Sequence, residues 1–102
     1  MLHPGRYLSE QIKIRGRTQK QFADIIGKKV SEVNELINGK RNITILWDMT
    51  LALVFDDQEK KRINLQNDYD YYIAKTHTDP KKFEWIQKRK HQIQKHEAFT
   101  QF

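Results

Sequence analysis

Glycine occurs only at Gly5, Gly16, Gly27 and Gly39, roughly a helix length apart, and proline only at Pro4 and Pro80. That punctuation describes a succession of helices. No run alternates β-branched residues well enough to make a strand, and neither an internal repeat nor a low-complexity segment is visible. Between Pro4 and Gly16, Leu8 and Ile12 give a modest apolar face; between Thr18 and Gly27, Phe22, Ala23 and Ile26 give a clearer one. From about Lys29 to Asn38, Val33, Leu36 and Ile37 share a face, Ser31, Glu32, Asn34 and Glu35 lie largely elsewhere, and Asn38-Gly39 is a stop signal. Thr44 caps a fourth helix, "ILWDMTLALVF", which is apolar nearly all round and is therefore expected to be enclosed by its neighbours as the central core element. After the polar break "DDQEKKR", Leu65, Tyr69, Tyr72 and Ile73 predict a fifth helix. Asp79 as cap and Pro80 at the first helical position open a sixth, "KKFEWIQKRKHQIQKHEAF", whose stripe of Phe83, Ile86, Lys90 and Ile93 is thin.

A chain of 102 residues has room for one domain. Nineteen Lys and Arg against thirteen Asp and Glu give a net charge of +6, which favours a polyanionic partner, though only weakly at this size. Residues 1–75 and 76–102 each carry +3, so the charge is denser in the tail. The absence of cysteine excludes disulfides and thiolate zinc sites, and no N-terminal apolar run resembles a signal peptide or membrane span. A soluble, cytoplasmic protein is the expectation.

The stretch "TQKQFADIIGKKVSEVNELINGK", residues 18–40, meets the geometry of a helix-turn-helix: a short helix, a tight turn with glycine, and a second helix whose exposed N-terminal half enters the major groove. Gln19 starts the first of these helices, where a side-chain amide and backbone N–H groups can hold a phosphate. Ala23 is small enough for the second helix to cross closely, Gly27 makes the turn, and Val33 and Leu36 anchor the second helix. Helical hairpins that bind nothing share this bare pattern, so periodicity alone leaves both readings open.

The stretch also resembles the lambda-repressor-like, Xre-type helix-turn-helix, and specifically the HigA (VapI) antidote proteins of toxin-antitoxin modules. "HPG" at residues 3–5, "LINGKRNIT" at 36–44 and "NLQNDYD" at 64–70 are similar to blocks of that family in the same order and spacing. The likeness covers about residues 3–75 and stops at a basic extension, residues 76–102. It implies an all-helical five-helix bundle with one additional C-terminal helix, a homodimer, a palindromic double-stranded DNA operator in its own promoter, and tight binding to a RelE-like ribonuclease toxin. By position it places Gln19 and Lys20 at a phosphate, Lys29, Val30, Ser31, Asn34 and Glu35 on the recognition helix, and Lys40 and Arg41 on the backbone beyond it. Asn34 would pair with adenine, Glu35 accept from cytosine and Val30 touch a thymine methyl.

The chain departs from the family after Gly27, where an apolar residue and a Ser or Thr cap are usual and Lys28 and Lys29 stand instead. A lysine cannot accept the orphan N–H bonds, so about 1 kcal/mol of capping is missing, and two positive charges meet the positive end of the helix dipole. Two consequences are open. Either DNA phosphate supplies the acceptor while Lys28 snorkels out of the core, or the unit has drifted from DNA and Glu32 with Glu35 repel the backbone.

Elsewhere the plainer readings prevail. Asp56 and Asp57 are adjacent, so they do not converge as an acid-base pair; they read as a solvated link with capping duty. His91 and His96 fall on different helical faces, and His3 and His77 are lone residues, so no metal site is expected. The tyrosines of "YDYY" read as a core or dimer face, Trp47 as core and Trp85 as a partner anchor. Residues 76–102 read as an extra bundle helix, a dimer-swapped or toxin-wrapping segment, or a phosphate-tracking arm; Pro80, Phe83, Ile86, Ile93 and Phe99 slightly favour the first. For a basic toxin the contact would be at the acidic Asp56, Asp57, Glu59, Asp68 and Asp70, or near the N-terminus. The expectation is a non-enzymatic antitoxin and repressor without cofactor or small-molecule substrate. A repressor lacking a toxin and a protein-interaction module that has lost DNA are the alternatives.

Overall fold

The computed structural model describes residues 1–96; Phe99 lies outside the described residues. The elements are α1 (Gly5–Ile14), α2 (Gln19–Ile26), α3 (Val30–Ile37), α4 (Ile45–Phe55), α5 (Lys61–His77), a 3-10 turn (Pro80–Phe83) and α6 (Glu84–Gln94). No strand occurs among the described residues, so the all-helical class expected from the glycine spacing holds. Two compact units divide within α5: the first is Met1–Tyr72 and the second begins at Ile73.

The core of the first unit is built from Leu8 and Ile12 of α1, Phe22 and Ala23 of α2, Val33, Leu36 and Ile37 of α3, Ile43, and Trp47 and Leu51 of α4. These are the apolar positions that helical spacing groups on one face of each helix. α1 meets the end of α3 at Gly5, where any side chain would overlap the Leu36 carbonyl. His3 folds over this junction: its Nδ1 accepts from the Gly5 N–H at 3.0 Å and its ring stands edge-on to Tyr69 at 4.9 Å. The "HPG" segment is thus a packed joint between α1, α3 and α5.

α4 is not enclosed by its neighbours, contrary to the expectation from its composition. Trp47, Asp48, Leu51 and Ala52 are buried, while Ile45, Leu46 and Leu53 are 69%, 70% and 84% exposed. Periodicity cannot say which side of an all-apolar helix the chain covers, and here α1 to α3 and the start of α5 cover one side only. The buried face also includes a carboxylate. Asp48 accepts from the backbone N–H groups of Lys60 at 2.6 Å, Arg62 at 2.8 Å and Ile63 at 2.8 Å. These are orphan donors at the start of α5, so Asp48 caps that helix from another element. This is why α5 begins at Lys61, inside the stretch expected to be a polar break. Burial on its own would raise the Asp48 pKa, but the three N–H donors and the Arg62 charge outweigh it and hold the group below its ordinary value of 3.8. The other buried polar side chain, Gln66, accepts from the Ile43 N–H at 2.8 Å and donates to Asn42 and Asp70, tying α5 to the segment before α4.

The link between α4 and α5 is held by Asp57, which takes both Nη groups of Arg62 at 2.8 and 2.7 Å and lies 3.6 Å from the Lys61 ammonium. Asp56 ends α4 in the left-handed region. The Arg15 and Arg62 guanidiniums lie 4.4 and 4.9 Å from the Phe55 ring, which also stacks on Phe22.

The second unit holds the end of α5, the 3-10 turn and α6. Asp79 caps the turn as expected, accepting from the Lys81 N–H at 2.9 Å. The continuous sixth helix expected from the sequence is instead a 3-10 start followed by α6, which has no buried residue. Ile86 and Ile93 are half-buried against their own neighbours, and Phe83 and Trp85 are exposed.

Removing the Asp48 carboxylate as Asp48→Ala leaves three partly buried N–H groups without their acceptor and is expected to cost about 1–3 kcal/mol in denaturant unfolding. Because its folded pKa is depressed, the carboxylate stabilises fully above the unfolded value of 3.8 and loses this effect as pH falls through the folded value. The stability gap between wild type and Asp48→Asn is therefore expected to be widest near neutrality and to shrink in acid. Gly5→Ala is expected to lower the melting temperature sharply, since α1 must move off α3 to admit one methyl.

Candidate nucleic-acid interface

The interface is built on α2, its turn and α3. Thr18 opens α2 with a reciprocal cap: its hydroxyl accepts from the Gln21 N–H at 3.1 Å, and the Gln21 side chain accepts from the Thr18 N–H at 2.9 Å. This fixes Gln19 in the first turn. α2 ends at Gly27 in the left-handed conformation, which glycine adopts without strain, and the Lys28 N–H returns to the Ala23 carbonyl at 2.9 Å. α3 then starts at Val30 with Lys29 in the cap position and no side-chain cap, so the missing acceptor expected from the sequence is missing in the structure. Glu32 in the first turn of α3 offsets part of the resulting positive end. Lys28 is exposed, and its ammonium lies over the Trp47 ring at 5.5 Å.

Val33, Leu36 and Ile37 are buried, which turns the opposite side of α3 outward. On that side Val30, Ser31 and Asn34 are exposed, Glu35 is half-buried, and Lys28, Lys29, Lys40 and Arg41 border them at the two ends of the helix. Gln19 is half-buried and Lys20 exposed on α2. The polar side chains form two bonded groups. Asn34 donates to Gln19 at 3.1 Å and accepts from Asn38 at 3.1 Å, making an amide chain from α2 across α3 to its end. Arg41 donates through Nε at 3.2 Å and Nη2 at 3.0 Å to Oε2 of Glu35. The surface is cationic through Lys20, Lys28, Lys29 and Lys40, with Arg41 matched by Glu35.

Asn38 was legible in the sequence only as a stop signal; its i,i+4 spacing from Asn34 was the signal that it belongs to this amide chain. The Thr-x-x-Gln pattern of residues 18–21 likewise signalled the reciprocal cap. No group of His, Cys, Asp or Glu able to hold a metal ion occurs among the described residues. None of their helices is long and apolar enough to cross a membrane.

Comparison with known proteins agrees with this geometry. The helix-turn-helix family model matches residues 8–46. An addiction module antidote protein of the HigA family from Coxiella burnetii is 30% identical, with a TM-score of 0.73 over 81% of this chain and 90% of that one. The chain belongs to the HigA family of antidote proteins. A putative antidote protein of a plasmid maintenance system from Nostoc punctiforme is 25% identical, with a TM-score of 0.69 over 84% of this chain and 93% of that one. No curated protein matches the chain. As a HigA-family helix-turn-helix protein it is not an enzyme.

Lys29→Ser supplies the absent acceptor at the start of α3. It is expected to raise the stability of the free protein by about 0.5–1 kcal/mol in denaturant unfolding. It also removes one positive charge from this cationic surface, so affinity for a polyanion such as DNA is expected to fall while stability rises.

Proposed function

We propose that this HigA-family chain is the antitoxin of a toxin-antitoxin module: a cytoplasmic homodimer that binds a palindromic operator in its own promoter and neutralises a cognate ribonuclease toxin. The observation that carries the DNA-binding part is the amide chain Gln19–Asn34–Asn38 along the exposed side of α3. Such a chain fixes the Asn34 amide in one orientation before it meets a base, and a preset amide is what bidentate pairing with adenine requires. Gln19 and Lys20 lie where a helix N-terminus can take a phosphate, and Lys29, Lys40 and Arg41 bracket the reading face. Val30, 47% exposed at the start of α3, suits a thymine methyl. Ser31 lies beside it, within reach of the same groove.

The homodimer follows from the reach of one recognition helix, which covers a half-site; two half-sites one DNA turn apart call for two copies. Protein partners also need apolar surface, and the outward side of α4, with Ile45, Leu46, Met49 and Leu53, leaves such surface in water in a single chain. The acidic surface offered to a basic toxin is smaller than composition suggests. Asp57 is already engaged by Lys61 and Arg62 and Asp70 by Gln66, which leaves Asp56, Glu59 and Asp68 as the exposed carboxylates for that role.

The test is an anisotropy titration of the protein against the DNA upstream of its own gene and against a scrambled duplex, at about 50 and 200 mM salt, where phosphate-driven binding weakens sharply. Its own promoter is expected to bind roughly a thousandfold or more tighter at the higher salt. Asn34→Ala is expected to cost about 1–3 kcal/mol on that promoter and little on the scrambled duplex. Equal binding of both duplexes that collapses together with salt would reject the repressor reading.

A further inference from the structure

Glu35 lies on the reading face and carries the charge that DNA repels, yet the structure gives it a partner that DNA attracts. Two nitrogens of the Arg41 guanidinium, Nε and Nη2, converge on Oε2 of Glu35. The backbone holds the same two residues together: the N–H groups of Lys40 and Arg41 donate to the Glu35 carbonyl at 2.9 and 3.2 Å. Arg41 is thus anchored to Glu35 through main chain and side chain alike. Each side chain is 41% exposed, so water screens the pair and a phosphate can compete for the guanidinium.

We propose that Glu35 guards specificity by withholding Arg41 from the phosphates of non-cognate DNA; this rests on the DNA-reading function proposed above. To offer a phosphate the paired Nε and Nη2 donors that Glu35 occupies, Arg41 must leave Glu35 and strand a carboxylate beside a polyanion. On non-cognate DNA nothing compensates that carboxylate, so the phosphate contact is gained at a loss elsewhere. On the cognate site the freed carboxylate can accept from a base amino group, such as cytosine N4, while Asn34 holds the helix in register. The pair therefore penalises phosphate binding selectively, as a repulsive element raised against the wrong partner. Glu32, one turn earlier on α3, has the same charge without this tether and serves as the control.

The test measures Kd for the own-promoter and scrambled duplexes at about 50 and 200 mM salt for wild type, Glu35→Gln, Arg41→Gln, the double variant and Glu32→Gln. Glu35→Gln is expected to tighten binding to the scrambled duplex by roughly 3–10-fold and to steepen its salt slope by about one, the signature of one added phosphate contact. The own promoter is expected to gain less, so the specificity ratio falls. In the Arg41→Gln background the gain from Glu35→Gln should vanish, and Glu32→Gln should not reproduce it. A gain that persists without Arg41 would overturn the proposal in favour of simple charge removal. Loss on the own promoter alone, with the scrambled duplex unchanged, would make Glu35 an ordinary base reader and overturn it too. A wild-type chain that binds both duplexes equally would remove the DNA-reading function itself, whereas specific wild-type binding with an unaltered Glu35→Gln ratio would remove this proposal alone.

Discussion

The second helix of the helix-turn-helix, α3, keeps its posture because Gly5 brings the start of α1 against its last carbonyls. Helix starts carry orphan N–H groups and helix ends carry orphan carbonyls, so the two termini meet with opposite partial charges. No side chain fits between them, which makes the contact a fixed distance rather than an adjustable one. With its end so held and Val33, Leu36 and Ile37 buried, α3 has one way to face, and Val30, Ser31, Asn34 and Glu35 are the residues it presents. His3 closes the joint by lying against Gly39, whose left-handed turn lets the Lys40 N–H reach back to the Glu35 carbonyl. The loop that positions Arg41 is therefore an extension of the same joint.

The start of α3 has no comparable support. Thr18 and Gln21 satisfy the first donors of α2 reciprocally, and Thr44 caps α4 through the Trp47 N–H, but α3 has a lysine in the corresponding place. The weakest helix terminus of the three thus lies at the exposed start of α3. Lys28 meanwhile finds an aromatic face, on Trp47, without giving up water. The two adjacent lysines therefore act differently: Lys28 leans on the next helix, and Lys29 leaves donors open at the exposed start of α3.

What the sequence made legible follows from the range of the interactions involved. Helices α1 to α4 lie within a residue or two of the bounds that glycine, proline and Thr44 imply, because caps and periodicity are local. The expected interface residues fall together for the same reason, since they share one helix and its flanks. The burial of Asp48 was not legible, because its three donors lie 12 to 15 residues away and a lone Asp in an apolar run gives no sign of them. Gln66 is the same case, reaching 23 residues back to Ile43. The open side of α4 was missed because apolarity records what a residue tolerates, not what covers it. The Glu35–Arg41 pair spans six residues across a helix end, outside the i,i+3 and i,i+4 spacings by which helical ion pairs are recognised.

These features sort the surface into two chemically different kinds. The side of α3 is polar, internally hydrogen-bonded and bordered by lysines, which suits a wet, salt-sensitive contact with a polyanion. The outward side of α4, with Leu46 and Leu53, and the exposed Phe83 and Trp85 of the second unit are apolar, which suits contacts that exclude water and respond little to salt. The separation follows the helices: the polar surface is carried by α3 and the apolar one by α4 and, in the second unit, by Phe83 and Trp85. Glu35 is where the separation is least complete: it is an acid on the DNA-facing side, tolerable there because Arg41 neutralises it until a phosphate competes for the guanidinium.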